Sequence, residues 1–142
     1  PLLLRLVGRA GMRGQRGGSI VNISSLAVLE AYPYIGYKTM KTAVIALTQN
    51  LAMAHADGGV RVNAILPGLM NTPMAIEARV AAGMPREELI AMRNARVPLG
   101  NRMGTAWDVA YAALFLHSDE AGFISGIGLP VDGAAWASQG KY

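Results

Sequence analysis

Residues 17–25 read GGSIVNISS. After the glycine pair, Ser19–Ser24 is short, β-branched and apolar, with turn residues before it. That is the pattern of a strand buried on both faces of a parallel sheet. Downstream, Tyr37–His55 carries Met40, Ala43, Val44, Leu47, Leu51 and Ala54 at helical spacing, which predicts a long helix with one apolar stripe. Asp57-Gly58-Gly59 stops it. Val60–Leu66 (VRVNAIL) predicts a second strand, ended by Pro67-Gly68. Over residues 69–103 the pattern loosens into an excursion with short helical pieces near Met74–Ala82 and Arg86–Ala95. Thr105–His117 predicts another helix, with Thr105 and Asp108 as a shortened capping box. Ala106, Val109, Ala110, Ala113, Leu114 and Leu116 form its apolar face. Ile127–Val131 (IGLPV) predicts a last short strand, and Pro130 places it near an edge or a strand end.

Strands that alternate with helices imply a parallel sheet with crossover connections. The expected fold class is therefore α/β, as one domain over residues 1–142, with 69–103 as a substrate-binding helical excursion inside it. That excursion holds Met70, Met74, Met84, Met92 and Met103. Flexible thioethers suit an adaptable apolar surface, and ordinary core filling explains them equally well.

Composition narrows the function classes. Apolar residues make up 52% of the chain and charged residues 15%, a globular balance. Cysteine is absent, which excludes disulfides, thiolate metal sites and thiol nucleophiles, and fits a cytoplasmic location. No apolar run approaches the ~18 residues of a membrane helix, so no membrane role is expected. The net charge of +4 comes from Arg5, Arg9, Arg13 and Arg16; the rest of the chain is balanced. Residues 1–19 have three readings: a targeting segment, an RGG-like RNA contact through MRGQRGG, or the end of an amphipathic helix before a strand. The helix reading is preferred, because three arginines share one face and Gly17-Gly18 breaks it. A neutral body argues against nucleic acid as a partner. No clustered carboxylates suggest a metal. His55 and His117 sit at helix ends and are expected to act as C-terminal caps.

The chemistry concentrates at the carboxyl ends of the two strands, where sites form in open parallel sheets. Ser24 and Ser25 close the first strand, Tyr37 opens the next helix, and Pro67–Thr72 follows the second strand. On a helix Tyr37 and Lys41 lie one turn apart on one face. A phenol is a poor base at neutral pH, and a neighbouring ammonium favours its phenolate form. With a serine hydroxyl across the cleft, this is a device for moving a proton at an alcohol or carbonyl oxygen. Hydride transfer to a nicotinamide would complete an alcohol–ketone interconversion. Backbone N–H groups exposed by Pro67-Gly68, and the Thr72 hydroxyl, suit a carboxamide.

GGSIVNISS, then Y-x-x-x-K at 37–41, VRVNAILPGLMNTPM, FLHSDEAGFISG and LPVDG follow one another in an order and at spacings that resemble the second half of a short-chain dehydrogenase/reductase. The resemblance covers about Met12 to Trp136. It implies a partial Rossmann-type doubly wound parallel sheet of about three strands. It implies an NAD or NADP cofactor, a small-molecule alcohol or carbonyl substrate, and a homo-oligomer, a dimer or a tetramer. The oligomer would form partly through the helix matching Tyr37–His55. Tyr37 matches the family's catalytic tyrosine. Lys41 matches the lysine that lowers the tyrosine's pKa and binds the nicotinamide ribose. The catalytic serine lies in the Ser24-Ser25 pair. The family usually uses the second serine, thirteen residues before the tyrosine, but here Ser25 is twelve before Tyr37 and Ser24 thirteen. Ser25 is favoured and Ser24 is the alternative. Pro67, Gly68, Met70 and Thr72 match the segment that binds the nicotinamide carboxamide, Met70 through its backbone.

Two departures bear on activity. The family's dinucleotide-binding turn, TGxxxGxG, has no counterpart, and GMRGQRGG does not replace it because it precedes a strand. The asparagine of the NNAG motif is absent too. The chain thus resembles a C-terminal portion, with no site for adenine and pyrophosphate and with Ser19–Ser24 flanked by a strand on one side only. The rival expectation is a non-catalytic chain: a truncated product, or an oligomerisation module that cannot bind cofactor alone.

Overall fold

The computed structural model of the chain describes residues 17–139, so the helix expected before Gly17 lies outside them. Strands β1 (Gly18–Ile23), β2 (Val60–Pro67) and β3 (Gly128–Val131) form one parallel sheet in the order β1-β2-β3. Gly18 pairs with Val60 and Ile23 with Ile65; Ala64 pairs with Gly128 and Pro67 with Val131. The α-helices among the described residues are α1 (Ile35–His55), α2 (Pro73–Ala81), α3 (Arg86–Asn94) and α4 (Ala106–His117).

The twofold alternation of β2 distributes its side chains between two helical layers. Val60 and Val62 pack with Leu51 and Ala52 of α1, joined by Ile20. On the same face Asn22 donates to the Thr48 hydroxyl of α1 at 3.0 Å. The opposite face meets α4: the Ser19 hydroxyl and the Arg61 guanidinium both donate to the Leu116 carbonyl, at 2.9 and 2.7 Å. Helices on both faces of a parallel sheet are the doubly wound arrangement. Asn63 is fully buried in β2 and both ends of its amide are used. It donates to the Ile124 carbonyl at 2.8 Å and accepts from the Ile127 N–H at 3.2 Å, fixing the entry into β3.

Three expectations about burial need correction. On α4, Ala106, Ala110 and Leu114 are exposed although they were expected on its apolar face, and of that set only Leu116 is buried. β1 is half-buried along its length, with Ile23 47% exposed, where burial on both faces was expected. Only β2 flanks it, and no described strand pairs with its outer edge. The stripe expected to seat α1 is also largely wrong. Met40, Ala43, Leu47 and Ala54 are exposed, and the buried face is Thr48, Leu51 and Ala52. Helix α1 is apolar on two sides, and the polar Thr48 settles against the sheet because the Val44 carbonyl and Asn22 satisfy its hydroxyl.

Between β2 and α4, helices α2 and α3 build a small core of Ile76, Leu89 and Met103 with Leu69, Val80 and Ile90 around it. This unit is pinned where the chain leaves and rejoins the sheet layer: Gly104 N–H donates to the Leu69 carbonyl at 3.0 Å and Asn71 N–H to the Gly104 carbonyl at 2.8 Å. The capping box of α4 forms as expected, with the Thr105 N–H donating to the Asp108 carboxylate at 2.6 Å. His55 closes α1 with its Nδ1 buried and without a hydrogen-bond partner, so it does not cap the helix through that atom. Among the described residues no helix is long and apolar enough to cross a membrane.

Candidate functional site

All the residues singled out at the strand ends meet in one cleft of about 560 Å³: Ser24, Ser25, Tyr37, Lys41, Pro67, Gly68, Met70 and Thr72. It opens beyond the carboxyl ends of β1 and β2, where parallel topology puts such sites. Each strand supplies what its end allows. The chain leaves β1 at Ile23 and turns at once into a 3₁₀ segment, Leu26–Val28.

The two serines part company at that turn. Ser24 is buried and its hydroxyl donates to the Lys41 carbonyl at 2.8 Å. Ser25 caps the 3₁₀ segment, accepting from the Ala27 N–H at 3.2 Å, and lines the cleft. A hydroxyl that accepts a hydrogen bond keeps its own proton to donate.

Helix α1 places Tyr37 in its first turn and Lys41 one turn later. The Lys41 ammonium donates to the Ile23 carbonyl at 3.0 Å and stands 5.8 Å from the centre of the Tyr37 ring. It therefore ties the first two turns of α1 to the end of β1. Tyr37 is 42% exposed, accessible from the cleft, and its ring packs 5.7 Å from that of Tyr32. Lys38, by contrast, turns away to the Glu30 carbonyl.

Across the cleft, Pro67 and Gly68 end β2 against β3. Gly68 N–H donates to the Val131 carbonyl at 3.0 Å. A Cβ at Gly68 would stand 2.7 Å from the Asp132 Cβ, so only glycine lets the two turns approach this closely. Thr72 precedes α2 as its N-cap, yet its side chain makes no capping hydrogen bond. Its hydroxyl is left for the cleft. These features fit the nicotinamide end of a dinucleotide; the sequence holds no TGxxxGxG motif for the phosphates.

Sequence reasoning missed three ionisable cleft residues: Tyr32, Arg79 and Arg93. Arg93 had a signal. It lies four residues after Leu89, on the buried face of α3, where an arginine is out of place. Burial pushes its guanidinium below the ordinary arginine value; the positive charges of Arg79 and Arg96 push the same way, and Tyr32 opposes them. A second, more polar cleft of about 360 Å³ shares Ser25, Tyr32 and Pro67–Leu69 with the first and continues to Glu30, Arg96 and Gln139. Glu30 therefore faces a cavity, where its carboxylate accepts from Gln139. No cluster of potential metal ligands occurs among the described residues.

The family described as enoyl-(acyl carrier protein) reductase matches residues 2–134. The chain is 41% identical over 119 residues to 2,5-dichloro-2,5-cyclohexadiene-1,4-diol dehydrogenase LinX of Sphingobium indicum, a match covering 82% of this chain and 44% of that protein. Among solved structures it is similar to an oxidoreductase of the short-chain dehydrogenase/reductase family from Burkholderia thailandensis. That match has a TM-score of 0.82 and 38% identity, over 90% of this chain and 48% of the other. It is also similar to ElxO with NADP bound, with a TM-score of 0.77 and 33% identity, over 89% of this chain and 49% of the other. The chain thus spans about half the length of the relatives it matches.

Proposed function

The chain belongs to the short-chain dehydrogenase/reductase family, and from that premise we propose that it carries the proton-transfer site of an NAD- or NADP-dependent oxidoreductase acting on an alcohol or carbonyl carbon. The observation that carries this reading is the convergence of Ser25, Tyr37 and Lys41 on one cleft with Pro67, Gly68, Met70 and Thr72.

NAD(P), when bound, supplies or accepts the hydride at the substrate carbon. Tyr37, Lys41, Pro67, Gly68, Met70 and Thr72 would hold its nicotinamide end. Tyr37 moves the proton: its hydroxyl gives a proton to a carbonyl oxygen in reduction, and its phenolate takes one from the alcohol in oxidation. Ser25 donates to the same substrate oxygen and orients it. Ser24, with its proton committed to the Lys41 carbonyl, instead holds α1 against the strand end. Lys41 keeps a positive charge beside the phenol, fixed by the Ile23 carbonyl. Helices α2 and α3 wall the cleft as the substrate-binding excursion. The exposed outer side of α1, with Met40, Leu47 and Met53, is the surface through which copies of the chain associate as a dimer or tetramer.

The test is a titration of the 142-residue chain into NADH and NADPH, followed by nicotinamide fluorescence, then turnover on a panel of ketones and secondary alcohols. Tyr37→Phe is expected to abolish turnover with an unchanged circular dichroism spectrum; retained turnover overturns the assignment. A second reading, a non-catalytic chain that assembles with another polypeptide, draws on the outer edge of β1, with which no described strand pairs. It predicts binding of neither nucleotide.

A further inference from the structure

Arg93 is the most anomalous residue in the cleft. It is 8% exposed, a rare state for a charged side chain. Its guanidinium has five N–H donors and finds poor partners for them. Nε points at the Met103 sulfur, 3.1 Å away and a weak acceptor, and Nη2 approaches the Met70 carbonyl at 3.4 Å. Among the described residues the ion pairs are Arg86–Glu77 and Arg102–Asp108, and no carboxylate pairs with Arg93. The charged groups that bear on it are Arg79 and Arg96, both of its own sign. A buried cation without an anion is destabilising, and arginine is conspicuous wherever a planar, two-pronged donor meets an oxyanion.

Its position suggests where that anion comes from. Arg93 and Arg79 line the same cleft as Tyr37 and Ser25. The Arg79 guanidinium spends one arm on the Ala75 carbonyl, at 2.8 Å, within its own helix α2. Tyr32 links the two ends of the cleft: its ring is 5.7 Å from that of Tyr37, and its phenol bears on the Arg93 charge.

We propose that Arg93, flanked by Arg79, is an oxyanion-binding site in the cleft wall, holding a carboxylate or phosphate group of a molecule bound beside Tyr37. This rests on the reaction-site reading above but deepens it to anionic ligands. Two molecules could bring the oxyanion: a substrate with an acid group, or the nicotinamide nucleotide through its phosphate.

The experiment needs no turnover. The arginine Nε–H region of the two-dimensional proton–nitrogen spectrum of the 142-residue chain is followed while inorganic phosphate or acetate is added, with sodium chloride as the ionic-strength control. The Arg93 signal, assigned by its loss in Arg93→Gln, is expected to shift saturably with phosphate or acetate and not with chloride. Arg79→Gln, which leaves both Arg93 hydrogen bonds in place, is expected to weaken that binding several-fold. It carries the test if Arg93→Gln does not fold. Competition with phosphate by 3-hydroxybutyrate assigns the site to a substrate, and competition by nicotinamide mononucleotide assigns it to the cofactor; either supports the site. Shifts that follow ionic strength alone, or saturable shifts unchanged in Arg79→Gln, overturn it. The Tyr37→Phe turnover result speaks to the reaction and leaves this titration untouched.

Discussion

Alanine at Gly68 and alanine at Gly36 are predicted to move stability in opposite directions. A Cβ on Gly68 stands 2.7 Å from the Asp132 Cβ and 2.9 Å from its Cα. That is roughly 1 Å inside the usual contact distance between carbons. Asp132 cannot swing clear, because its carboxylate accepts from the Ala134 N–H at 3.0 Å and the Trp136 N–H at 2.8 Å. The turn after β2 must retreat from the turn after β3, stretching the Gly68 N–H bond to the Val131 carbonyl. Overpacking of this kind costs about 1–3 kcal/mol and a weakened hydrogen bond about 1 kcal/mol more. A total of about 2–4 kcal/mol lowers Tm by roughly 8–16 °C in a domain of this size. At Gly36, in the first turn of α1, an added Cβ meets nothing within 4 Å. There alanine mainly restricts the unfolded chain, a gain of about 0.5–1 kcal/mol, or roughly 2–4 °C. Thermal melts of the parent and both variants, at one protein concentration, decide the matter. Gly68→Ala melting within about 1 °C of the parent, or Gly36→Ala falling as far as Gly68→Ala, refutes the reasoning.

Leu116 is fully buried between α4 and the sheet, so Leu116→Ala is expected to lose about 2–4 kcal/mol by urea unfolding, whereas exposed Leu114→Ala should lie near the parent. Thr105→Ala removes the α4 cap and is expected to cost about 1 kcal/mol in the same measurement. Hydrogen bonds from the Thr105 N–H and hydroxyl hold the Asp108 carboxyl below the ordinary aspartate value, so its contribution to stability is complete above about pH 4 and is lost as pH falls through the lowered folded value. The melting gap between the parent and Asp108→Asn should accordingly be present at pH 7 and close towards pH 2; a gap that persists in acid contradicts the capping account.

The parallel α/β arrangement was legible because β2 is apolar at most positions and bounded by Gly58-Gly59 and Pro67-Gly68. Element order and approximate bounds followed from the change of period between strands and helices. The seating of α1 was not legible. Met40 and Leu47 look as fit for burial as Leu51, and only the tertiary partners decide that Thr48 goes in and Met40 stays out. The cleft was legible as far as it depends on spacing: Tyr37 and Lys41 share a face because they are one turn apart. The difference between Ser24 and Ser25 depends on the sharp turn after β1, which alternation along the strand does not reveal. Arg93 was overlooked because arginine in a helix reads as surface charge, and only its place four residues after Leu89 pointed to the buried face.

The register of the sheet also governs how the cleft comes into being. Ala64 pairs with Gly128 and Gly18 with Val60, so every strand pair joins segments more than forty residues apart. Contacts of such sequence separation form slowly, since the chain must close long loops before any of them is rewarded. Tyr37 and Lys41 share a helix that needs only local hydrogen bonds, and so they find their relative positions early. Ser25 and Met70 reach them only when β1 and β2 align. Tyr37 and Lys41 are thus expected to share a helical face before the cleft exists, and closure of the cleft should coincide with the slowest phase of refolding.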